Sequence, residues 1–117
     1  RGKLVNRYEP AQAKSRQVKQ VLQKDKIIVD LPADQLLETT AGMSSGNILD
    51  YQLDVFRRVL DRYKTNKGQK IIFIHGKGEG VLRQAIIHEL IYKYKHFKYQ
   101  DASFQEYGYG ATQVTIR

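Results

Sequence analysis

The 117-residue sequence contains no cysteine. Disulfides and thiolate metal sites are therefore excluded, and the absence fits the cytoplasmic setting expected for the chain. No apolar run approaches the roughly 20 residues a membrane helix needs, so no membrane role is expected. Nothing at the start resembles a signal peptide, and the chain opens on Arg1 rather than Met. It reads as part of a longer polypeptide that continues upstream of Arg1. The spacings of His75, His88 and His96 match no metal-ligand pattern, so no histidine metal site is expected, and there is no internal repeat.

What is present suits one compact domain with a real core, since 41% of the residues are hydrophobic. The formal charge is +8, which points to an anionic partner. Residues 1–26 hold eight basic residues against Glu9 and Asp25, a balance of +6, and the other 91 residues carry only +2. The N-terminal segment is also poor in apolar residues. Residues 1–25 are expected to be a basic linker or N-terminal extension, with a folded domain over 26–117. The segment reads either as a solvated linker or as an arm that grips phosphates non-specifically.

The pattern over 26–117 is β-α-β-α-β-β. Ile27, Ile28 and Val29 are β-branched and predict a short strand, which Pro32 ends. A loop over 32–46 follows, with room for one helical turn around Asp34–Glu38. Asn47 is the expected N-cap of a helix in which Leu49, Leu53, Phe56, Leu60 and Tyr63 share one face, and Gly68 closes it. Lys70–His75 predicts a central strand, because four consecutive apolar residues suit burial on both faces. A second amphipathic helix is expected from Val81, Leu82, Ala85, Ile86, Leu90, Ile91 and Tyr94. Tyr99–Phe104 and Thr112–Arg117 read as the last strands, joined through Gly108-Tyr109-Gly110. The expected fold is an α/β two-layer sandwich, with a four-stranded mixed sheet and two helices on one face.

The stretch His75-Gly76-Lys77-Gly78-Glu79-Gly80 joins the central strand to the second helix. It fails the P-loop and dinucleotide patterns: counted from Gly76, the glycine each requires falls on Val81. Its setting still favours an anion, since free N–H groups open a helix beside Lys77 and Arg83. The plainer reading is a tight strand-to-helix turn made by Gly76, Gly78 and Gly80. His75 ends the central strand, where open α/β sheets place ligands, and an unperturbed imidazole titrates near pH ~6.5. It reads either as an acid–base group or as a histidine packed under the loop. Asp30 ends the neighbouring strand and is the candidate base or metal ligand. One carboxylate is a thin metal site, and Glu79 reads as solvent-facing. Tyr107 and Tyr109 are placed to stack on bases or to pack on their neighbours.

With Leu82-Arg83 after it, "HGKGEG" resembles the second motif of the small MutS-related (Smr) domain family. Gly108-Tyr109-Gly110-Ala111-Thr112 resembles that family's closing G-x-G-A-T. The resemblance covers about residues 26–117 and looks most like the Smr domain at the C-terminus of a domain-of-unknown-function family. It implies binding to nucleic acid, DNA or RNA, through Gly76, Lys77, Gly78, Gly80, Arg83, Gly108, Tyr109 and Gly110. It also implies that the two strand-end corners adjoin, and that some members nick or cut nucleic acid. For such an endonuclease, Asp30 and His75 are the catalytic candidates and a divalent metal the only cofactor in view. Val29-Asp30-Leu31 keeps part of the first motif, but Pro32 and Ala33 stand where His-Gly is expected, so any nicking is expected to be weak or vestigial. The rival reading is a non-catalytic protein-interaction module that keeps the fold.

Overall fold

A computed structural model describes residues 15–16, 20–23, 25–76, 80–102 and 110–117. The elements run β1 (Gln20–Gln23), β2 (Lys26–Asp30), α1 (Ala33–Leu36), α2 (Ser45–Tyr63), β3 (Lys70–Ile74), α3 (Val81–Tyr92), β4 (Lys98–Asp101) and β5 (Ala111–Thr115). The sheet order is β1-β2-β3-β5-β4. β2 and β3 are parallel, while β5 lies antiparallel to both β3 and β4. β2, β3 and β4 therefore all point the same way, and the long helices α2 and α3 return between them.

This is the expected α/β sandwich with the four expected strands, a further edge strand and a third, short helix. The fifth strand is β1, antiparallel to β2 with Gln20 opposite Val29 and Gln23 opposite Lys26. It falls inside the segment expected to be a linker. The four residues Gln-Val-Leu-Gln between charged neighbours are too short to signal a strand. Upstream, Ser15 bridges Leu37, and the Arg16 N–H donates to the Leu36 carbonyl at 2.7 Å.

Strand register decides what the sheet buries, because successive side chains alternate faces. Ile27, Val29, Ile71, Phe73 and Val114 lie on one face and join Phe56, Leu60, Ile86 and Leu90 in the core. The Phe56 and Phe73 rings meet edge-on at 4.7 Å. β3 is the middle strand, and Ile71, Ile72 and Phe73 are all fully buried, as its apolar run predicts.

Helix ends differ in detail from expectation. The N-cap of α2 is Ser44, whose Oγ accepts from the Asn47 N–H at 3.0 Å, so Asn47 lies in the first turn. Tyr63 ends α2, and Gly68 follows the turn after it, left-handed at φ 91°. In α3, Leu82, Ile86 and Leu90 face the core, but Val81 and Ile91, expected to join them, point outward at 57% and 45% exposure. The helices are tied by Arg57, which donates to Glu89 at 2.7 and 3.0 Å and to Asp54 at 3.1 Å.

Candidate functional site

Parallel strands with returning helices gather the N-termini of α2 and α3 at the carboxyl end of β3. A cleft of about 490 Å³ opens there. Ser45, Ile48, Leu49 and Gln52 line it from α2, His75 and Gly76 from the end of β3, and Gly80 to Arg83 from α3. The Gln52 amide donates to the Leu31 carbonyl at 3.0 Å, which fixes α2 against the end of β2. Among the described residues no side chain caps α3; its N-cap, Gly80, is left-handed at φ 83°. The first-turn N–H groups of α3 are thus without intrahelical partners and open on the cleft.

The His75–Gly76 corner is held by the last motif. The main-chain N–H groups of His75 and Gly76 both donate to the Gly110 carbonyl, at 2.7 and 3.0 Å. Gly110 has φ 85°, and a Cβ there would stand 2.1 Å from the Gly76 carbonyl oxygen. Only glycine permits that approach. On the other side, the Leu31 N–H donates to the Ile74 carbonyl at 2.9 Å, and Pro32 lies 3.7 Å from where a Gly76 Cβ would be. The corners after β2 and β3 therefore adjoin, as the resemblance implies.

His75 is 9% exposed, and its Nε2 is 2.9 Å from the Thr112 Oγ1. Burial pushes its imidazole below the usual range. The Gly76 backbone hydrogen bond works against that shift, nearby Arg83 adds to it and Asp101 counters. The ring is thus neutral at pH 7, a proton acceptor rather than a donor.

Asp30 does not join it. Asp30 is in register with Ile74, one residue before His75, and so shares a face with Ile74. His75 reaches Thr112, which is in register with Phe73 on the helix-covered face. The two catalytic candidates leave the sheet on opposite faces. Among the described residues, no group of three or more histidines or carboxylates converges as a metal site.

Arg83 lines the cleft, and its Nη2 donates to Asp101 Oδ1 at 2.9 Å. Lys77, Gly78, Glu79, Tyr107, Gly108 and Tyr109 lie outside the described residues. Sequence reasoning missed Thr112 as the partner of His75 and Asp101 as the partner of Arg83. Thr112 stood in the quoted motif, but only the β3–β5 register reveals its role.

A family model for the Smr domain matches residues 49–117, more than half of the chain, beginning beyond the Pro32-Ala33 departure. A search of curated proteins gives no match. Among the described residues, no helix is long and apolar enough to cross a membrane. The matched segment includes His75, Gly76, Gly110 and Thr112, and the chain belongs to the Smr domain family, whose members generally bind nucleic acid and sometimes nick it.

Proposed function

We propose that this Smr domain binds nucleic acid, with one phosphate received at the His75–Gly76 corner, and that it cleaves weakly or not at all. The observation that carries the reading is the meeting of two helix N-termini on one cleft beside His75. Orphan N–H groups and the positive helix ends favour an anion there. Gly76, Gly80 and Gly110 keep backbone accessible at that corner. Arg83, with Lys77, Gly78, Gly108 and Tyr109 of the same motifs, completes the proposed contact set.

Weak cleavage follows from what the corner lacks. Activating a nucleophile needs a positioned base, and the developing charge needs positive groups. His75 is neutral, and its Nε2 is already hydrogen-bonded to Thr112 Oγ1. Asp30 stands on the other face, and Pro32 occupies the place beside Gly76. If cleavage occurs, His75 is the group in position to carry it.

The reading as a protein-interaction module draws on the occupied Arg83, whose Asp101 partner is itself an anion at the rim. Incubation of supercoiled plasmid and structured RNA with Mg²⁺ or Mn²⁺ tests the proposal, alongside an oligonucleotide binding assay. Binding without robust cleavage is expected. Efficient cleavage that His75→Ala abolishes overturns the weak-activity reading, and no binding to any oligonucleotide favours the protein module.

A further inference from the structure

The cleft is poor in positive charge for a ligand as anionic as nucleic acid. At this end of the sheet, the described segments carry Asp30, Asp34, Glu38, Asp50 and Asp101 against Arg16 and Arg83. The opposite end has the reverse balance. There β2, β3 and β4 begin, and α2 and α3 finish. Register sets Lys26 opposite Lys70, and both Lys70 and Lys98 opposite Thr115. Residues in register share a face, so the three lysines form one row across four adjacent strands, on the face away from the helices. Three steps of about 4.8 Å make that row roughly 14 Å wide. The helix ends and following turns add Arg62, Lys64 and Lys67 from α2, and Lys93 and Lys95 from α3, with Arg117 after β5. Asp25, Asp61 and Glu89 are the acidic residues of these described segments.

Some of these cations have ordinary structural work. Lys64 and Lys93 sit at helix C-termini, where positive charge offsets the helix dipole, and Lys93 also pairs with Glu89 at 3.3 Å. Lys67, Lys70 and Lys98 lie outside the helices, are exposed, and make no ion pair among the described residues. Two exposed aromatic rings border the same end. Tyr92 closes α3 at 62% exposure and Tyr99, near the start of the edge strand β4, stands 40% exposed. The Tyr92 ring lies 4.5 Å from that of His88, which steadies it on the helix surface. Tyr99 is in register with Val114, so both rings stand on the helix side of this end, across the strand starts from the lysine row. Cations and exposed rings at one end suit phosphates and unpaired bases together.

We infer that this basic end, with the Lys70–Lys98 row on one face of the sheet and Tyr92 and Tyr99 on its helix side, is a second nucleic-acid contact that holds the backbone of a single strand. It rests on the proposed nucleic-acid function and places the main electrostatic contact at the far end from the cleft. The twelve residues of α3 set the two ends roughly 18 Å apart. The cleft then receives one phosphate, and the lysine end supplies counterion release.

The test is fluorescence anisotropy on the full chain, with a labelled single-stranded oligonucleotide and a duplex of equal length over a salt series. Three variants accompany the wild type: Lys67→Ala/Lys70→Ala/Lys98→Ala, Tyr92→Ala/Tyr99→Ala, and Arg83→Ala at the cleft. All the substituted residues carry partly or fully exposed side chains, and circular dichroism checks the folds. The lysine variant should weaken binding roughly tenfold or more and lower the salt slope by about 2, because each single-strand phosphate contact contributes about 0.7. The tyrosine variant should lose about fivefold or more on the single strand, with the salt slope unchanged and a smaller loss on duplex. Wild-type affinity and slope in the lysine variant overturn the inference while leaving the nucleic-acid function standing, the more so if Arg83→Ala alone weakens binding. No binding by the wild type overturns both. Binding to phosphatidylserine vesicles but not to oligonucleotides, or tyrosine-dependent self-association without oligonucleotide binding, assigns this end to a membrane or protein partner and also overturns it.

Discussion

The two ends of the sheet use the same topology for opposite purposes. At the cleft end, strands finish and helices begin, and the chain is drawn tight: two N–H groups converge on Gly110, His75 is bonded to Thr112, and carboxylates outnumber cations in the described segments. At the other end, strands begin and helices finish, and Lys67, Lys70 and Lys98 are exposed without an ion pair among the described residues. One end is built by close approach and the other by charge. Backbone geometry and long-range electrostatics are thus separated along the strand axis, so substitutions at the two ends should fail in different ways.

The largest expected effect is on stability at the tight end. Gly110→Ala forces a Cβ against the Gly76 carbonyl in a left-handed conformation, and should cost about 3 kcal/mol or more in urea unfolding. Gly80→Ala has the same sign of φ but nothing within 4 Å of the new Cβ, so it should cost only about 1 kcal/mol. Equal costs would mean that close approach to Gly76 is not what Gly110 supplies.

Next comes pH. Folding holds the His75 imidazole below its usual range, so the unfolded chain takes up the proton first as pH falls through ~6.5. Stability is then full above that value and is lost below it. The melting temperature should fall between pH 7 and 5, and His75→Gln should flatten that fall. The triple lysine variant should keep the wild-type dependence, because it leaves the buried His75–Thr112 pair untouched. Glu89, held low chiefly by its hydrogen bond with Arg57, acts in the same direction, but below its ordinary range near 4.5. A pH dependence between 7 and 5 that survives His75→Gln would place the titrating group elsewhere.

The smallest effect is expected at the loose end. The triple lysine variant should change stability by no more than about 0.5 kcal/mol, since exposed residues without partners contribute little. At low salt the change should be slightly favourable, because Lys70 and Lys98 flank Thr115 on one face and repel. A clear loss in a thermal melt would show that these lysines pack as structure.

The tight end was largely legible in the sequence and the loose end was not. "HGKGEG" and "GYGAT" mark their corners because glycine is required where backbones touch, and the apolar periods of α2 and β3 are long enough to read. The Ser44 cap escaped notice because Asn47 is an equally good capping residue three positions on. Asp30 and His75 both end strands, and only register tells that they face opposite ways. Lys26, Lys70 and Lys98 are scattered along the chain and meet only through strand pairing. The balance of +2 over residues 27–117 looked nearly neutral because it averages two ends of opposite sign.

An amide NMR titration with a short single-stranded oligonucleotide, at low and high salt, tests the two-ended account most directly because both ends report in one spectrum. The account predicts shifts at His75, Gly76, Gly80–Arg83 and Gly110–Thr112, together with shifts at Lys67, Lys70, Lys95, Lys98 and Tyr99. The second group should fade first as salt rises. Shifts confined to residues 1–19, with both ends of the sheet silent, would contradict it.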